Sequence, residues 1–225
     1  MYKKILSATK ILFLTIGIIT SVNAQNKQVK SQNKKPMTEE QVKKLSVGTW
    51  VSIAPEVRPS ISKNADGSMK PFYVTRTFTY SADGKFTLEM INSADAYGKV
   101  PLAKIVLRGH TVWQGEHPIA AGAQKINYIG DEAFEITPLS QGFADAMNKA
   151  ASTNFNKWEI NSTQSISGKA FAPFGLSEGE IYGEFDLIYI FNDMMFWGAK
   201  HLDGRRFNKV ENRPDNLQIP MIRRK

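Results

Sequence analysis

Hydrophobic and polar positions alternate with a period of two through the centre of the chain, which is the pattern of half-buried β-strands. In residues 71–81, one strand face collects Phe72, Val74, Arg76, Phe78 and Tyr80. Asp83-Gly84 then predicts a hairpin turn, and one face of the return strand collects Phe86, Leu88 and Met90. The first hairpin therefore has an apolar side that is interrupted by a single arginine.

Further segments share this strand-like composition: residues 102–113, 123–129, 132–137, 157–166, 184–192, 193–202 and 205–210. Gly130-Asp131, Asn192-Asp193 and Asp203-Gly204 predict turns that separate some of them. Because no long helices alternate with the strands, the sequence predicts an all-β fold. We expect an antiparallel, lipocalin-like β-barrel, closed or half-open, with one or two short helices.

Two segments have the pattern of short helices. In the first, residues 37–45, Thr38 is a candidate N-cap and Gln41 completes a capping box. The second follows Thr137, which can cap it, and Pro138, which suits a first helical turn. Its apolar stripe is formed by Leu139, Phe143 and Met147, and we expect this stripe to pack over an open end or a face of the barrel.

The first 24 residues have the order of a secretory signal peptide: basic residues, then an apolar run, then small residues ending at Ala24. The alternative is a membrane anchor, but a spanning helix needs about 20 apolar residues and this run is about half as long. We therefore expect cleavage after Ala24 and a periplasmic or secreted protein. Residues 25–37 predict a disordered polar linker, and residues 38–222 predict one barrel domain.

The net charge of +8 comes from the two ends of the chain. Residues 37–222 contain 19 basic and 21 acidic side chains, which leaves this part at −2. A nucleic-acid-binding face needs its basic residues on the folded body. We therefore expect no nucleic-acid partner, and we expect no transmembrane span in the mature chain.

The sequence contains no motif that indicates catalysis. The chain has no cysteine, so it has neither a lipid-attachment motif nor a thiol nucleophile. Its histidines, His110, His117 and His201, lack the spacing of a zinc site. A lipid or glycan hydrolase with a histidine base is an alternative, but we expect a non-enzymatic protein without metal or cofactor.

The apolar content favours a binding protein. The chain has 13 Phe, 7 Tyr, 4 Trp and 8 Met, and aromatic and thioether side chains adapt to irregular apolar ligands. We expect a fatty acyl chain or similar lipid inside the barrel, contacted by Trp50, Phe72, Val74, Arg76, Phe78, Phe86, Leu88, Met90, Ile105, Leu107, Trp113, Tyr128, Ile188, Ile190, Met195 and Trp197. The alternative is an envelope protein with a solid core, whose partner docks on residues 59–70 or 92–101.

Arg76 is unusual because alternation points it inward, and a buried guanidinium must be paired. Glu56 is the nearest plausible acidic partner for Arg76, and Arg58 follows Glu56 two residues later. We therefore expect a polar cluster of Glu56, Arg58 and Arg76 at one end of the barrel, with Trp50 offering a ring face. Two alternatives stay open: a bulge leaves Arg76 in water, or Arg76 receives a ligand carboxylate.

These residues also carry a family resemblance. The chain resembles the adenomatosis polyposis coli down-regulated (APCDD) family in Trp50-Val51-Ser52, in Glu56-Val57-Arg58-Pro59, and in an aromatic-x-Thr-Arg strand matched by Phe72 or Tyr73, Thr75 and Arg76. The similarity continues through residues 103–113, 133–148 and 212–221, and it spans residues 46–222 in all.

The resemblance implies a β-barrel module with a hydrophobic cavity. The animal members are membrane-tethered inhibitors of Wnt signalling that take up the lipid carried by Wnt. This chain differs from them because it lacks their disulfide cysteines. We also expect one domain where they have two, and no C-terminal anchor. The barrel and an affinity for acyl chains are therefore expected to transfer, whereas the signalling role is not.

Overall fold

The computed structural model describes residues 35–150, 154–201 and 203–225. The predicted signal peptide, and all of the predicted linker before Lys35, lie outside these residues. The strands are β1 (Gly48–Ser52), β2 (Glu56–Lys63), β3 (Met69–Tyr80), β4 (Lys85–Ser93), β5 (Pro101–Glu116), β6 (Gln124–Pro138), β7 (Gln164–Ser165), β8 (Tyr182–Phe191), β9 (Met194–Trp197) and β10 (Met221–Arg223). The helices are α1 (Glu39–Ser46) and α2 (Gln141–Ala150), with short 3₁₀ turns at Ala172–Phe174 and Val210–Asn212.

The strands close into a ring. Following the hydrogen bonds from β1 leads through β10, β9, β8, β6, β5, β4 and β3 and back to β1, and every pair is antiparallel. The long strand β3 pairs with β1 through its second half and with β2 through its first half. The predicted all-β, antiparallel barrel is therefore confirmed.

Strands β5 and β6 are longer than the sequence predicts. Gly130-Asp131 was expected to be a turn between two strands, but β6 continues through it, beside an irregularity in its pairing with β5. A Cβ atom on Gly109 of β5 would lie 1.8 Å from the carbonyl oxygen of Ile129. The glycines at this crossing therefore serve a bend and a close approach of two backbones rather than a chain reversal.

The first predicted helix is confirmed, with the reciprocal capping hydrogen bonds between Thr38 and Gln41. The second has a different start, because Thr137 belongs to β6, where it pairs with Lys104. Ser140 lies before α2 and its side chain accepts a hydrogen bond from the backbone N–H of Phe143. The helix packs against β5 and β6. No helix in the described part of the chain is long and apolar enough to cross a membrane.

The C-terminal third departs most from the predicted strands. The segment 157–166 forms only the short β7, and residues 205–210 form no strand. The strand that closes the barrel, β10, was not predicted because three residues are too few to show a period. Arg223, which lies just beyond the predicted barrel domain of residues 38–222, pairs with Trp50 across β1 and β10.

One end of the barrel is filled by aromatic rings. This aromatic end comprises Trp50, Phe78, Tyr80, Phe86 and Tyr128, all buried. The ring centroids of Phe78 and Tyr80 are 4.3 Å apart, and those of Phe78 and Phe86 are 5.3 Å apart. Helix α1 covers this end, since the indole N–H of Trp50 donates to the carbonyl of Ser46 at 2.7 Å.

Candidate ligand cavity

The opposite end of the barrel contains a cavity of about 310 Å³. It lies where β3 begins and where β4 and β9 end, away from α1. Its apolar wall comes from inward residues of β3 to β6 and β9: Val74, Leu88, Met90, Ile105, Leu107, Phe134 and Trp197. We call this region the cavity end.

A long connection between β9 and β10 borders the mouth of the cavity. This strap, which comprises the described residues 198–201 and 203–220, contributes polar residues such as Lys200, His201 and Gln218 to the cavity lining. Arg213 ties the strap to the barrel wall: it donates to the carbonyls of Ile126 and Asp186 and, at 2.8 Å, to the side chain of Asn127. The strap is therefore fixed to β6 and β8 by charge-assisted hydrogen bonds.

Glu56, Arg58 and Arg76 meet in the wall of the cavity end. Arg76 is 7% exposed and Glu56 is 5% exposed. One oxygen of Glu56 accepts from Arg76, and the other lies 2.6 Å from Nη2 of Arg58. Arg58 also donates to Gln218 of the strap at 2.9 Å. Burial lowers the pKa of Arg58, while Glu56 counteracts this shift. A bulge that would place Arg76 in water is therefore ruled out.

The expected ring contact involves a different tryptophan. The guanidinium carbon of Arg76 lies 4.5 Å from the ring centroid of Trp197. The ring of Trp50 is covered instead by Arg223, at 4.2 Å. Trp50 lies too far along the barrel axis to contact Arg76, because it pairs with Phe78, two residues beyond Arg76 on β3.

Two carboxylates of β8, Glu184 and Asp186, complete the polar side of the cavity. Neither of them was identified as a site residue from the sequence. Glu184 accepts from Lys200 at 2.7 Å and from the hydroxyl of Tyr182 at 2.6 Å. Burial opposes its ionisation, but the ammonium group and these hydrogen bonds outweigh burial and lower the pKa of Glu184. The sequence could have indicated their inward position, because Glu184 and Asp186 continue the alternation that places Ile188 and Ile190 inside the barrel.

Asp186 is the more unusual of these carboxylates. Its Oδ1 accepts from the backbone N–H groups of Leu187 at 2.8 Å and Gly198 at 3.0 Å. Burial, and then the neighbouring charge of Glu184, raise the pKa of Asp186 to about 7. Within the described residues, Asp186 forms no salt bridge with a basic side chain.

The structure divides all of the residues predicted to contact a ligand, except Trp113, into two groups. The cavity is lined by Phe72, Val74, Arg76, Leu88, Met90, Ile105, Leu107 and Trp197. Residues that do not line it, but pack in the hydrophobic core, are Trp50, Phe78, Phe86, Tyr128, Ile188, Ile190 and Met195. Trp113 lies near the end of β5, where its ring is 5.7 Å from the ammonium of Lys43 in α1. Alternation identifies the inward face of a strand, but it does not give the height of a residue along the barrel axis.

The histidines are dispersed. His110 pairs with Asp131 on the exposed surface, and His117 lies in the loop between β5 and β6. His201 borders the cavity, and its Nε2 is 2.9 Å from the carbonyl oxygen of Asn212. Across residues 35–150, 154–201 and 203–225, no group of three His, Asp or Glu is arranged to hold a metal ion.

Comparisons with known proteins do not assign a family. No family model matches the chain, and no curated protein matches it. The resemblance to the APCDD family therefore stays a prediction, and the cavity is the basis for a functional proposal.

Proposed function

We propose that this protein is a non-enzymatic carrier that binds a fatty acyl chain or similar hydrophobic ligand in the cavity end of its barrel. The observation that carries this proposal is a cavity of about 310 Å³ with an apolar wall and a polar border. Small-molecule sites commonly have volumes of about 300–1,000 Å³, with apolar walls and a few polar groups. Met90 adds a flexible side chain that can adapt to an apolar guest.

The proposal includes export, because the leader pattern in residues 1–24 predicts it. A carrier in the periplasm or outside the cell would meet lipids released from membranes. The APCDD resemblance, which is also part of the proposal, implies the same kind of cavity.

The cavity counts against the alternative of an interaction module with a solid core. One of the loops considered as a docking site for that module, residues 59–70, is largely the hairpin of β2 and β3. The hydrolase alternative needs a histidine that acts on a substrate beside a carboxylate. His201 borders the cavity, but its Nε2 is already directed at a backbone carbonyl.

The proposal can be tested by filling the cavity. Met90→Trp places a large ring in the cavity wall, whereas Ile91→Trp places the same ring on the outer face of β4. Native mass spectrometry of the protein from its own host, followed by titration with a fluorescent fatty acid, should show lipid bound to the wild type. We expect Met90→Trp to lose this binding and Ile91→Trp to keep it.

Two results would contradict the proposal. One is a wild-type protein that carries no lipid and binds no fatty acid at micromolar concentration. The other is equal binding by both tryptophan variants, which would place the ligand elsewhere. Thermal unfolding of each variant shows that the comparison is made between folded proteins.

A further inference from the structure

The charges around the cavity do not balance. Arg58 and Arg76 share the single carboxylate of Glu56, whereas Glu184 forms its salt bridge with Lys200. These five groups carry one surplus positive charge. Arg76 also retains a buried Nε that has no hydrogen-bond partner among the described residues. A buried charge without compensation is costly, so an anion that reaches this wall would be stabilised there.

Asp186 decides whether the surplus persists. If it were ionised, its charge would cancel the surplus, but burial and the adjacent Glu184 raise its pKa to about 7 and favour the neutral acid below that pH. The titratable and charged groups around it are Arg76, Tyr80, Tyr128, Tyr182, Glu184 and Lys200. Arg213 of the strap also belongs to this set, because it donates to the backbone carbonyl of Asp186 and its charge interacts with the Asp186 carboxylate. His201 lies against the backbone carbonyl of Asn212.

The volume of the cavity limits the length of the apolar part. A water molecule accounts for about 30 Å³ of liquid volume, and a methylene group is of similar size. The cavity of about 310 Å³ therefore holds roughly ten heavy atoms. A ligand of this kind fits if its chain lies along Leu88, Ile105, Leu107 and Phe134.

We propose that the cavity end selects a single-chain amphiphile with one negative charge, with its head group against Arg58 and Arg76 and a chain of at most about ten carbons along the apolar wall. This inference rests on the carrier function proposed above. It adds the charge of the head group and the length of the chain, neither of which an apolar cavity alone would specify.

Isothermal titration calorimetry with three probes of equal chain length tests the charge. Decyl sulfate is anionic at every accessible pH, decanol is neutral, and decyltrimethylammonium is cationic. Near pH 6 we expect decyl sulfate to bind about ten- to a hundredfold more tightly than decanol, the equivalent of one charge-assisted hydrogen bond. We expect the cationic probe to bind more weakly than decanol.

A pair of variants assigns the effect to the cavity. Arg58→Gln removes the surplus charge while Glu56 remains paired with Arg76, so the affinity for decyl sulfate should fall to that for decanol. Arg108→Gln removes one positive charge from the outer face of β5, where Arg108 pairs with Glu135. This control should leave the affinities for all three probes unchanged.

The possible outcomes separate the two proposals. Equal binding of decyl sulfate and decanol overturns selection by charge, but it leaves the carrier function in place. An affinity that continues to rise from decyl to hexadecyl sulfate overturns the chain length. Failure of every probe to bind, together with the absence of co-purified lipid, overturns the carrier function and this inference with it.

Discussion

The aromatic end and the cavity end are built from the same strands, but their inward side chains differ in chemistry. At the aromatic end, Phe78 stacks on Tyr80 and Phe86 and meets Trp197 edge to face at 4.4 Å. At the cavity end, the equivalent inward position two residues earlier on β3 is Arg76. A buried guanidinium needs polar partners, whereas a buried phenyl ring needs none.

The comparison shows how one end of a barrel can keep an unfilled cavity. Arg76 recruits Glu56, and Glu56 in turn recruits Arg58, so a wall of the cavity end is occupied by charged groups. In the same register, the neighbouring strands β4 and β5 carry Met90 and Ile105. These side chains are apolar, and they do not fill the remaining space. The aromatic end is therefore filled by packed rings, whereas the cavity end leaves space beside its charged wall.

The largest expected effect comes from truncating one residue in each region. Phe78→Ala removes a buried ring from the aromatic end and should lower the free energy of unfolding by about 3–5 kcal/mol. Met90→Ala should cost about 1 kcal/mol or less, because Met90 is only half-buried and already borders a cavity. Urea denaturation of both variants measures the difference, and similar losses would show that the two ends are packed alike.

The second effect is a pH dependence that belongs to the cavity end. Asp186 has a folded-state pKa of about 7, raised from an ordinary value of 3.8. The folded state therefore binds this proton more tightly, so the stabilisation is complete below the unfolded pKa and is lost as pH rises through the folded pKa. Between about pH 6 and about pH 8, this group should reduce the free energy of unfolding by roughly 1.4 kcal/mol.

Asp186→Asn isolates this contribution. The amide keeps an oxygen that can accept from Leu187 and Gly198, but it cannot ionise. Chemical denaturation at both pH values should therefore show that the wild type is less stable at the higher pH and that the variant lacks this loss. A variant with the same pH dependence as the wild type would assign the proton to another group.

Binding should follow the same titration. The affinity of the wild type for decyl sulfate should fall from the lower to the higher pH, because ionised Asp186 cancels the surplus charge. Since the sulfate probe does not titrate in this range, the change reports on the protein. Asp186→Asn should remove this dependence as well.

Much of the barrel could be predicted from the sequence, because alternation and turn residues are local. The first hairpin follows from residues 72–90, and the turn at Asn192-Asp193 is confirmed by the left-handed conformation of both residues. The contact of Arg76 with Glu56 could also be anticipated, because an inward arginine needs an acid. These inferences depend on one strand and its neighbours.

The features that could not be predicted depend on the positions of residues along the barrel axis and on irregular backbone. Trp50 and Phe78 point inward as alternation predicts, but nothing local shows that α1 closes the barrel at their level. The strap is irregular where residues 193–202 and 205–210 predict strands, since β9 ends at Trp197. Its contribution of Lys200 and Gln218 to the cavity could therefore not be derived. Glu184 and Asp186 were within reach, since they occupy the inward face of a strand that was recognised.

The smallest expected effect concerns the closure of the aromatic end by Arg223. Its guanidinium lies 4.2 Å from the ring centroid of Trp50 and donates to the backbone carbonyls of Val47, at 2.7 Å, and Leu45. Arg223→Gln should lower the free energy of unfolding by about 1 kcal/mol, as expected for one cation–π contact and partly exposed hydrogen bonds. Because this contact lies at the far end from the cavity, binding of decyl sulfate should be unchanged. Urea denaturation and calorimetry on the same sample test both statements, and a loss of binding would mean that the two ends are coupled through the strands they share.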